Sequence, residues 1–500
     1  MSSLVYNRRF LEIIPGAVSW GIIIFLAGMS FMNPKACAVL IIIFDFYWIV
    51  RTVYLTTLLL IAHHKLHVQR NMDWLERCRN LSAQYRWQSL YHLVIFPVYK
   101  EDAEVLRFSL AAIRESQYPK EKIIVVLGFE QRNHFASFTA KILEEEFKGD
   151  FLILFSVFHP QDIPGETQTK GANATWAAKQ AKDFLDQKHI KYEDVVLSCF
   201  DADTCVHNQY FACLSHYFLT VPFPHQASYQ PVPVYNNNIW HAPSFARIVE
   251  ISSSFTQMIE SMRLEKFVTF SSHSMSFKAL VDINYWPVDM ISDDSVVYWK
   301  AFLFYKGQYR VVPLPTTVSM DVAYSKGLFR TIVTQYKQKR RWAWGVENFP
   351  FLVMGFKDNP GIPFLIRLRR TYNLLESHVT WAVWAVIITF ISPLPVIVGG
   401  VLFQQMPLSQ NLPQVTGLLL RFTLVTSLIW VILSRLTLPA RPRDVSWMKN
   451  IVMFLEWAIV PFVILILGST PALDAQTCLL SGRRMKFVTT PKIKRPNAGK

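Results

Sequence analysis

The sequence predicts an α/β domain with a doubly wound sheet, placed between two groups of transmembrane helices. Short apolar runs alternate with amphipathic helical stretches between about residues 85 and 315, which is the pattern of βαβ units. Hydrophobic residues make up 51% of the chain and charged residues only 17%, which is typical of a membrane protein. We therefore expect a transmembrane hairpin at 1–70, a cytosolic α/β domain at 71–350, and transmembrane and interface helices with a basic tail at 351–500.

The N-terminal hairpin is predicted from two apolar stretches, Gly16–Met32 and Ala36–Ala62, separated by a short turn. Basic residues lie before the first stretch and after the second, which places both ends in the cytoplasm. Asp45 and Arg51 interrupt the second stretch. They either face a polar pathway or form a buried ion pair, with Arg51 extending toward the interface as a further alternative.

The C-terminal region contains three further apolar stretches, Val379–Phe403, Gly417–Leu433 and Ile451–Leu467. Three full crossings would place the tail outside, yet residues 483–500 are strongly basic and are expected inside. One of these segments is therefore expected to re-enter or to lie along the membrane surface. The expected location is the plasma membrane.

Strands and helices of the α/β domain follow from the length and periodicity of the apolar runs. The predicted strands are His92–Phe96, Lys122–Leu127, Phe151–Phe158 and Val195–Phe200. The predicted helices are Val105–Ser116, Phe135–Phe147, Lys170–Leu185, Phe245–Lys266 and Val296–Tyr305. The stretch Pro222–Pro243 is rich in proline and asparagine, and it is predicted to be an irregular loop that covers a site.

Two carboxylates, Asp201 and Asp203, directly follow the fourth predicted strand. Residues two apart in extended backbone point the same way, so both can face the crevice at the carboxyl edge of the sheet. There they can hold Mg²⁺ or Mn²⁺ against the phosphate oxygens of a nucleotide diphosphate. The alternative is a solvated turn with an Asx cap.

A second acidic pair, Asp293 and Asp294, lies at the start of a predicted helix. Acidic residues at a helix N-terminus are favoured by the helix dipole without any further role. Either carboxylate can instead act as a general base that removes a proton from an incoming hydroxyl.

The segment 338–342 reads Gln-Lys-Arg-Arg-Trp and lies just before the C-terminal membrane region. It is either a juxtamembrane basic cluster or a site where Arg341 binds a diphosphate and Trp342 stacks on a sugar ring. The segment 170–173, Lys-Gly-Ala-Asn, follows a glycine-containing loop and carries a weaker signal, since it could be an ordinary helix start.

Taken in order, these segments resemble the processive family-2 glycosyltransferases, which include cellulose, chitin and hyaluronan synthases. The resemblance begins at 97–101, Pro-Val-Tyr-Lys-Glu, and covers nearly the whole chain. It implies a GT-A-like domain flanked by transmembrane helices, a nucleotide-sugar donor, a divalent metal ion, and a glycan or lipid-linked acceptor. A homo-oligomer is compatible with this resemblance.

The resemblance also implies roles for individual residues. Asp294 matches the catalytic base, Asp201 and Asp203 the metal ligands, and His273, Ser274 and Trp342 the acceptor contacts. The donor contacts implied are Tyr99, Glu101, Glu130, Lys170, Asp201, Gln338, Arg341 and Trp342. The segment 487–492, Phe-Val-Thr-Thr-Pro-Lys, is similar to the gating loop of that family.

Three positions depart from the family pattern. Glu130 stands where an Asp-Asp pair is usual, Asp293 replaces the Glu of the T-E-D motif, and His273-Ser274 matches the Cys-Gly-Ser motif only in part. Uracil contacts therefore depend on Glu130 at best. The remaining length leaves no room for an appended regulatory domain.

We expect a membrane-embedded inverting glycosyltransferase that transfers sugar from a nucleotide sugar, presumed to be a UDP-sugar, to a β-linked polysaccharide exported during synthesis. The alternatives are single-sugar transfer to a lipid carrier or glycolipid, and a transporter whose soluble domain only binds nucleotide. Nucleic-acid binding is not expected, because the net charge of +15 is concentrated beside apolar stretches. Six cysteines without framework spacing suit a reduced cytosolic domain.

Overall fold

The computed structural model of the chain describes residues 7–82 and 84–485. Within this part, eight strands form one mixed sheet. They are β1 (Tyr91–Val98), β2 (Ile123–Glu130), β3 (Ile153–His159), β4 (Val195–Cys199), β5 (Cys205–Val206), β6 (Ala227–Val234), β7 (Ser274–Ser276) and β8 (Arg310–Ser319).

The helices precede, connect and follow these strands. Those before and within the sheet region are α1 (Arg8–Met32), α2 (Pro34–Arg70), α3 (Trp74–Arg79), α4 (Ala103–Arg114), α5 (Ala136–Glu146), α6 (Lys170–Gln187), α7 (Tyr210–Thr220), α8 (Ser244–Glu260), α9 (Phe277–Asp282) and α10 (Asp293–Phe304). Those after it are α11 (Leu328–Ala343), α12 (Asn348–Asp358), α13 (Phe364–Val386), α14 (Leu394–Val398), α15 (Gly400–Gln404), α16 (Pro407–Leu436), α17 (Met448–Leu455), α18 (Val460–Ile464) and α19 (Thr470–Leu480).

The sheet has the strand order β3-β2-β1-β4-β7-β6-β8-β5. Strands β3, β2, β1 and β4 are parallel, and β7 runs antiparallel to both β4 and β6. Helices cover both faces, and the central strands are buried; in β2 all eight residues are buried, and all but Gly128 and Glu130 carry apolar side chains. Because β1, β2 and β4 are parallel neighbours, the polar residues that follow them meet at one edge. The predicted doubly wound α/β fold is confirmed.

One prediction about the fold is wrong. The stretch Pro222–Pro243 is not wholly irregular, because it contains β6, whose eight residues are all buried between β7 and β8. Proline is tolerated there because the register against β8 shifts between Gln230 and Val232, so Pro231 falls at an irregularity. The side chain of Gln230 satisfies nearby backbone groups, accepting from Phe270 N at 2.7 Å and donating to Ser271 O at 3.2 Å.

Within the part of the chain described, five helical segments are long and apolar enough to cross a membrane. They are Arg8–Met32, Pro34–Arg70, Phe364–Val398, Pro407–Leu436 and Met448–Leu480. They flank the sheet domain. Four of them contain the apolar stretches expected from the sequence, whereas the predicted stretch Val379–Phe403 runs beyond the end of its segment at Val398.

The charged residues of the second segment have partners. Arg51 forms an ion pair with Glu376 of α13 at 2.7 Å, and Lys266 binds the other oxygen of that carboxylate at 2.6 Å. Asp45 accepts a hydrogen bond from Thr416 at 2.7 Å. Arg51 therefore forms an ion pair, but its partner is Glu376 and not Asp45.

Candidate active site

Lys170 lies at the centre of the polar edge of the sheet and joins two acidic motifs that are far apart in the chain. Its Nζ is 2.7 Å from Oδ1 of Asp201 and 2.9 Å from Oδ1 of Asp294. Burial alone would lower the pKa of this ammonium group, but the two carboxylates raise its pKa well above the usual value. Lys170 therefore stays charged and binds both carboxylates, which are partly exposed.

The start of α6 explains how Lys170 reaches this position. Thr169 caps the helix by accepting from Ala172 N, which fixes the first turn at the end of a loop. A Cβ atom at Gly171 would lie 2.9 Å from Cβ of Asp293 and 3.0 Å from the carbonyl oxygen of Pro287. The lack of a side chain at Gly171 thus lets the helix start pack directly against the Asp293–Asp294 turn.

Asp201 and Asp203 leave β4 with different surroundings. Oδ2 of Asp201 accepts from the Ser271 hydroxyl at 2.6 Å, and this side chain is partly exposed. Asp203 is 1% exposed, and its Oδ2 accepts from Asp321 N at 2.9 Å. The residue next to Ser271, Ser272, adopts a left-handed conformation with φ 62°, which is unusual for a side-chain-bearing residue and is found at functional sites.

The turn that carries Asp293 and Asp294 is held by Glu347. Its Oε1 accepts from Ile291 N at 3.0 Å, from Ser292 N at 2.9 Å and from Ser292 Oγ at 2.8 Å. Asp293 is buried, and burial together with the adjacent Asp294 raises its pKa well above the usual range. Asp293 is therefore harder to ionise than an ordinary aspartate, and Asp294 Oδ1 lies 2.9 Å from the Lys170 ammonium.

Residues 338–342 lie on α11 below the same edge. The Trp342 ring lies 5.5 Å from the Phe270 ring, edge to face, and 6.0 Å from the Tyr235 ring. Arg341 is close enough to oppose the raised pKa of Asp293. Gln338 is 8% exposed, and its Oε1 has no hydrogen-bond partner within residues 7–82 and 84–485.

The side chains of His273 and Ser274 have different surroundings. His273 is fully buried, its Nδ1 lies 3.0 Å from Phe270 O, and burial lowers its pKa, so the ring is neutral and Nδ1 donates to that carbonyl. Its Nε2 remains an acceptor without a hydrogen-bond partner in the described chain. Ser274 instead bonds Ser198 at 2.7 Å and Tyr210 at 2.8 Å inside the sheet, a position that gives no support for an acceptor contact.

The ends of β1 and β2 form a separate part of the edge. The Arg132 guanidinium carbon lies 4.2 Å from the centre of the Tyr99 ring, and Arg132 pairs with Glu130 at 3.1 Å. Glu130 also accepts from Asn173 Nδ2 at 3.1 Å, so the segment 170–173 contacts this region as well. The Glu101 carboxylate accepts from its own loop, at Tyr99 N and Lys100 N.

The structure thus brings Lys170, Asp201 and Asp294 together, with Trp342 and His273 nearby. Sequence reasoning missed Glu347, Ser271 and Arg132, whose roles depend on contacts between distant segments. The segment 487–492 lies outside the described residues.

Asp201 and Asp203 are the two carboxylates considered as ligands of a divalent cation. No group of three or more His, Cys, Asp or Glu side chains converges as a metal site within residues 7–82 and 84–485. Two carboxylates suit Mg²⁺ or Mn²⁺, because these ions are commonly held by one or two carboxylates together with substrate phosphates. Asp201 and Asp203 offer that number of carboxylates, and they differ in access, since Asp201 is partly exposed and Asp203 is 1% exposed.

Comparison with known protein families identifies the family to which the chain belongs. The sequence profile of glycosyl transferase family group 2 matches residues 196–467, which is more than half of the chain. The chain belongs to this family. The glycosyltransferase match begins in β4 and takes in the second aspartate pair and residues 338–342.

Solved structures resemble this glycosyltransferase only distantly. The mannosyltransferase PcManGT from Pyrobaculum calidifontis, solved with GDP-Man and Mn²⁺, is 15% identical, with 76% of this chain and 98% of that chain covered and a TM-score of 0.41. TarS 1–349 from S. aureus, solved with UDP-GlcNAc, is 13% identical over 70% and 93% of the two chains, with a TM-score of 0.31. Among curated protein sequences, none matches closely enough to count as a relative.

Proposed function

We propose that this family-2 glycosyltransferase is a membrane-embedded inverting enzyme that adds sugar from a nucleotide sugar to a growing β-linked polysaccharide and exports it. The observation that carries the proposal is the pair of contacts from Lys170 to Asp201 and Asp294. These contacts join a candidate donor-binding aspartate to a candidate base within one crevice. The flanking apolar helices support a membrane location for the enzyme.

Asp294 is the proposed general base. Its carboxylate would remove the proton of the acceptor hydroxyl as that oxygen attacks the anomeric carbon from the face opposite the leaving nucleotide. Lys170 holds the Asp294 carboxylate in place, and the buried Asp293, whose pKa is raised by burial and by Asp294, lies beside it. This division of roles between neighbouring carboxyl groups follows from their different surroundings.

The donor diphosphate is assigned to the other side of the crevice. Asp201 and Asp203 would hold Mg²⁺ or Mn²⁺, which when bound supplies positive charge to the departing diphosphate. Arg341 would bind the diphosphate through its paired N–H donors, and Gln338 has a buried amide oxygen available nearby. Tyr99, Glu130 and Arg132 would bind the nucleotide base.

The acceptor end is assigned to Trp342 and His273. An indole face suits the apolar face of a sugar ring, and the Nε2 of a neutral histidine can accept from a sugar hydroxyl. Phe270 and Tyr235 restrict the Trp342 ring.

Single-sugar transfer to a lipid carrier remains the alternative within enzymes, and residues 338–342 favour a polymer. A nucleotide-binding transporter is the alternative outside enzymes. To test the proposal, the purified full chain in nanodiscs is incubated with a panel of UDP- and GDP-sugars plus Mg²⁺ or Mn²⁺. Nucleotide release with a product that grows in length supports the proposal, a single-sugar product supports the lipid alternative, and no release removes both.

Asp294→Asn tests the base. Because general acid–base groups contribute roughly 10²- to 10⁴-fold, we expect transfer to fall by about that factor while donor binding persists. Asp186→Asn, on the exposed end of α6, is the matched control and should transfer sugar like the wild type. Unchanged transfer by Asp294→Asn would remove the assignment of the base.

A further inference from the structure

Lys339 is a buried cation below the Trp342 indole. Its side chain is 7% exposed, and its Nζ lies 3.8 Å from the centre of the Trp342 ring and 2.5 Å from Ser253 Oγ. The Ser253 hydroxyl donates to Val249 O at 2.7 Å, so its oxygen is turned to accept from the ammonium. The cation therefore contacts one face of the ring in a fixed direction.

Glu250 is the counter-charge. It is fully buried one helical turn before Ser253 on α8, and its Oε1 accepts from Gln335 Nε2 at 3.2 Å. Burial raises the pKa of Glu250 and lowers the pKa of Lys339, and each group opposes the shift of the other. The pair thus spans from α8 to α11.

A buried lysine needs an explanation at this position. An apolar side chain of similar length would fill the space on α11 without the cost of removing a charge from water. Lys339 is instead aimed at the ring that the proposed function assigns to the acceptor, and a desolvated cation over an indole is among the stronger aromatic contacts. An apolar residue at position 339 could not form this cation–π interaction with Trp342.

We propose that Lys339 is a positioning residue for sugar transfer, which holds the Trp342 indole in the orientation needed to stack the acceptor sugar. This inference rests on the proposed function of Trp342. Lys339 does not contact the reacting atoms in this role. It raises the fraction of turnovers in which a sugar hydroxyl, rather than water, attacks the donor.

The test compares sugar transfer with hydrolysis of the same donor by the full chain in nanodiscs. Lys339→Met keeps the length of the side chain and removes its charge. We expect its ratio of transfer to hydrolysis to fall roughly tenfold, with hydrolysis and the affinity for the nucleoside diphosphate close to wild type. Lys339→Arg should restore most of the ratio, and Lys337→Met, on the exposed side of α11, should match the wild type.

A purely structural role predicts a different outcome, because a distorted site would lose transfer and hydrolysis together, and that result would overturn the inference. Removing one member of a buried pair leaves the other charge unpaired. The double variant Lys339→Met/Glu250→Gln removes both charges and provides the second measurement where the single variant does not fold. An unchanged ratio in either variant would also overturn the inference.

The wild-type reaction separates this inference from the proposed function. If the wild type releases no nucleotide with any donor, the glycosyltransferase proposal fails. A cryo-EM map of Lys339→Met then decides the positioning claim alone: a displaced or disordered Trp342 indole supports it, and an indole unchanged from the wild type overturns it.

Discussion

Gly171 shows how a single residue controls the separation of two motifs. Gly171→Ala would place a methyl group 2.9 Å from Asp293 Cβ and 3.0 Å from the Pro287 carbonyl, and the backbone oxygen cannot move aside like a flexible side chain. We expect transfer to drop at least tenfold, because a shift of the base by about 1 Å can cost that much or more.

The measurement is the initial rate of transfer at saturating donor, with the melting temperature recorded in parallel. Gly361→Ala is the matched control, since a methyl group there meets no atom within 4 Å and Gly361 lies away from the site. A Gly171→Ala enzyme with the wild-type rate would show that the helix start and the Asp293 turn need not approach so closely.

His159 gives a pH-dependent contribution to stability. Its ring lies between two carboxylates, with Nδ1 3.2 Å from Glu130 and Nε2 3.0 Å from Glu166. Burial would lower the pKa of His159, but the two carboxylates outweigh burial and raise it above the ordinary value. The charged ring therefore stabilises the fold fully below the unfolded pKa of about 6.5, and this contribution is lost as pH rises through the folded pKa.

His159→Gln should consequently lower the melting temperature more at pH 6 than at pH 9. Exposed His134→Gln is the control and should show no such difference. Melting curves in detergent at both pH values test this, and an equal deficit at the two values would contradict the charged-ring assignment.

At the scale of single residues, sequence reasoning reached Asp201 and Asp294 because acidic pairs after a buried strand and at a helix start are local patterns. Sequence reasoning ranked Lys170 below the second acidic pair and residues 338–342. The importance of Lys170 comes from contacts with residues 31 and 124 positions away. Glu347 could not be found at all, because a carboxylate that caps a distant turn leaves no local pattern.

At the scale of elements, the parallel strands β1 to β4 were predictable because they are continuous apolar runs bounded by turn residues. Strand β6 was not, because its two prolines mark a chain segment that cannot form a regular ladder. The β-bulge at Gln230–Val232 accommodates Pro231, and this accommodation depends on pairing with β8 more than 80 residues later.

Helix α10 depends on an external carboxylate for its start. Ser292, its N-terminal capping position, makes no side-chain capping bond, and Glu347 supplies the acceptor for two backbone N–H groups. Glu347→Ala leaves these partly buried donors without their acceptor, which costs up to about 1–3 kcal/mol for each group. We expect a lower melting temperature and a reduced transfer rate.

Glu347→Gln keeps the acceptor oxygen and should retain more activity than Glu347→Ala. Because the effect acts through the Asp293–Asp294 turn, transfer rate and melting temperature should fall together across the two variants, while donor affinity changes less. An Ala variant with the wild-type rate would show that α10 starts correctly without this cap.

At the scale of the whole molecule, the segment Met448–Leu480 contacts the α/β domain toward both of its ends. Glu456 forms a buried ion pair with Arg247 of α8. Asp474 accepts from Tyr336 at 2.9 Å and pairs with Arg340 at 2.9 Å, both on α11. A helix that crossed the bilayer fully would carry one of these ends away from a cytosolic domain.

The other end of the chain agrees with this placement. Arg9, at the start of the first candidate span, donates to Leu479 O at 2.8 Å, so the beginning of α1 and the end of α19 lie at the same side. Five full crossings would put them on opposite sides. We infer that Met448–Leu480 stays at the inner membrane surface, which leaves four crossings and keeps Arg9 and Leu479 on the same side.

Cysteine accessibility tests this topology in intact cells expressing a variant from which the native cysteines have been removed. Gln410→Cys, near the start of α16, faces the outside if four segments cross the membrane, and it should react with a membrane-impermeant maleimide before permeabilisation. Lys449→Cys and Ser481→Cys should react only afterwards, because both ends of the last helix face the cytosol in this arrangement. Labelling of Ser481→Cys in intact cells, with Lys449→Cys protected, would mean that the last helix crosses the bilayer, and the contacts made by Glu456 and Asp474 could then not both be formed with a cytosolic domain.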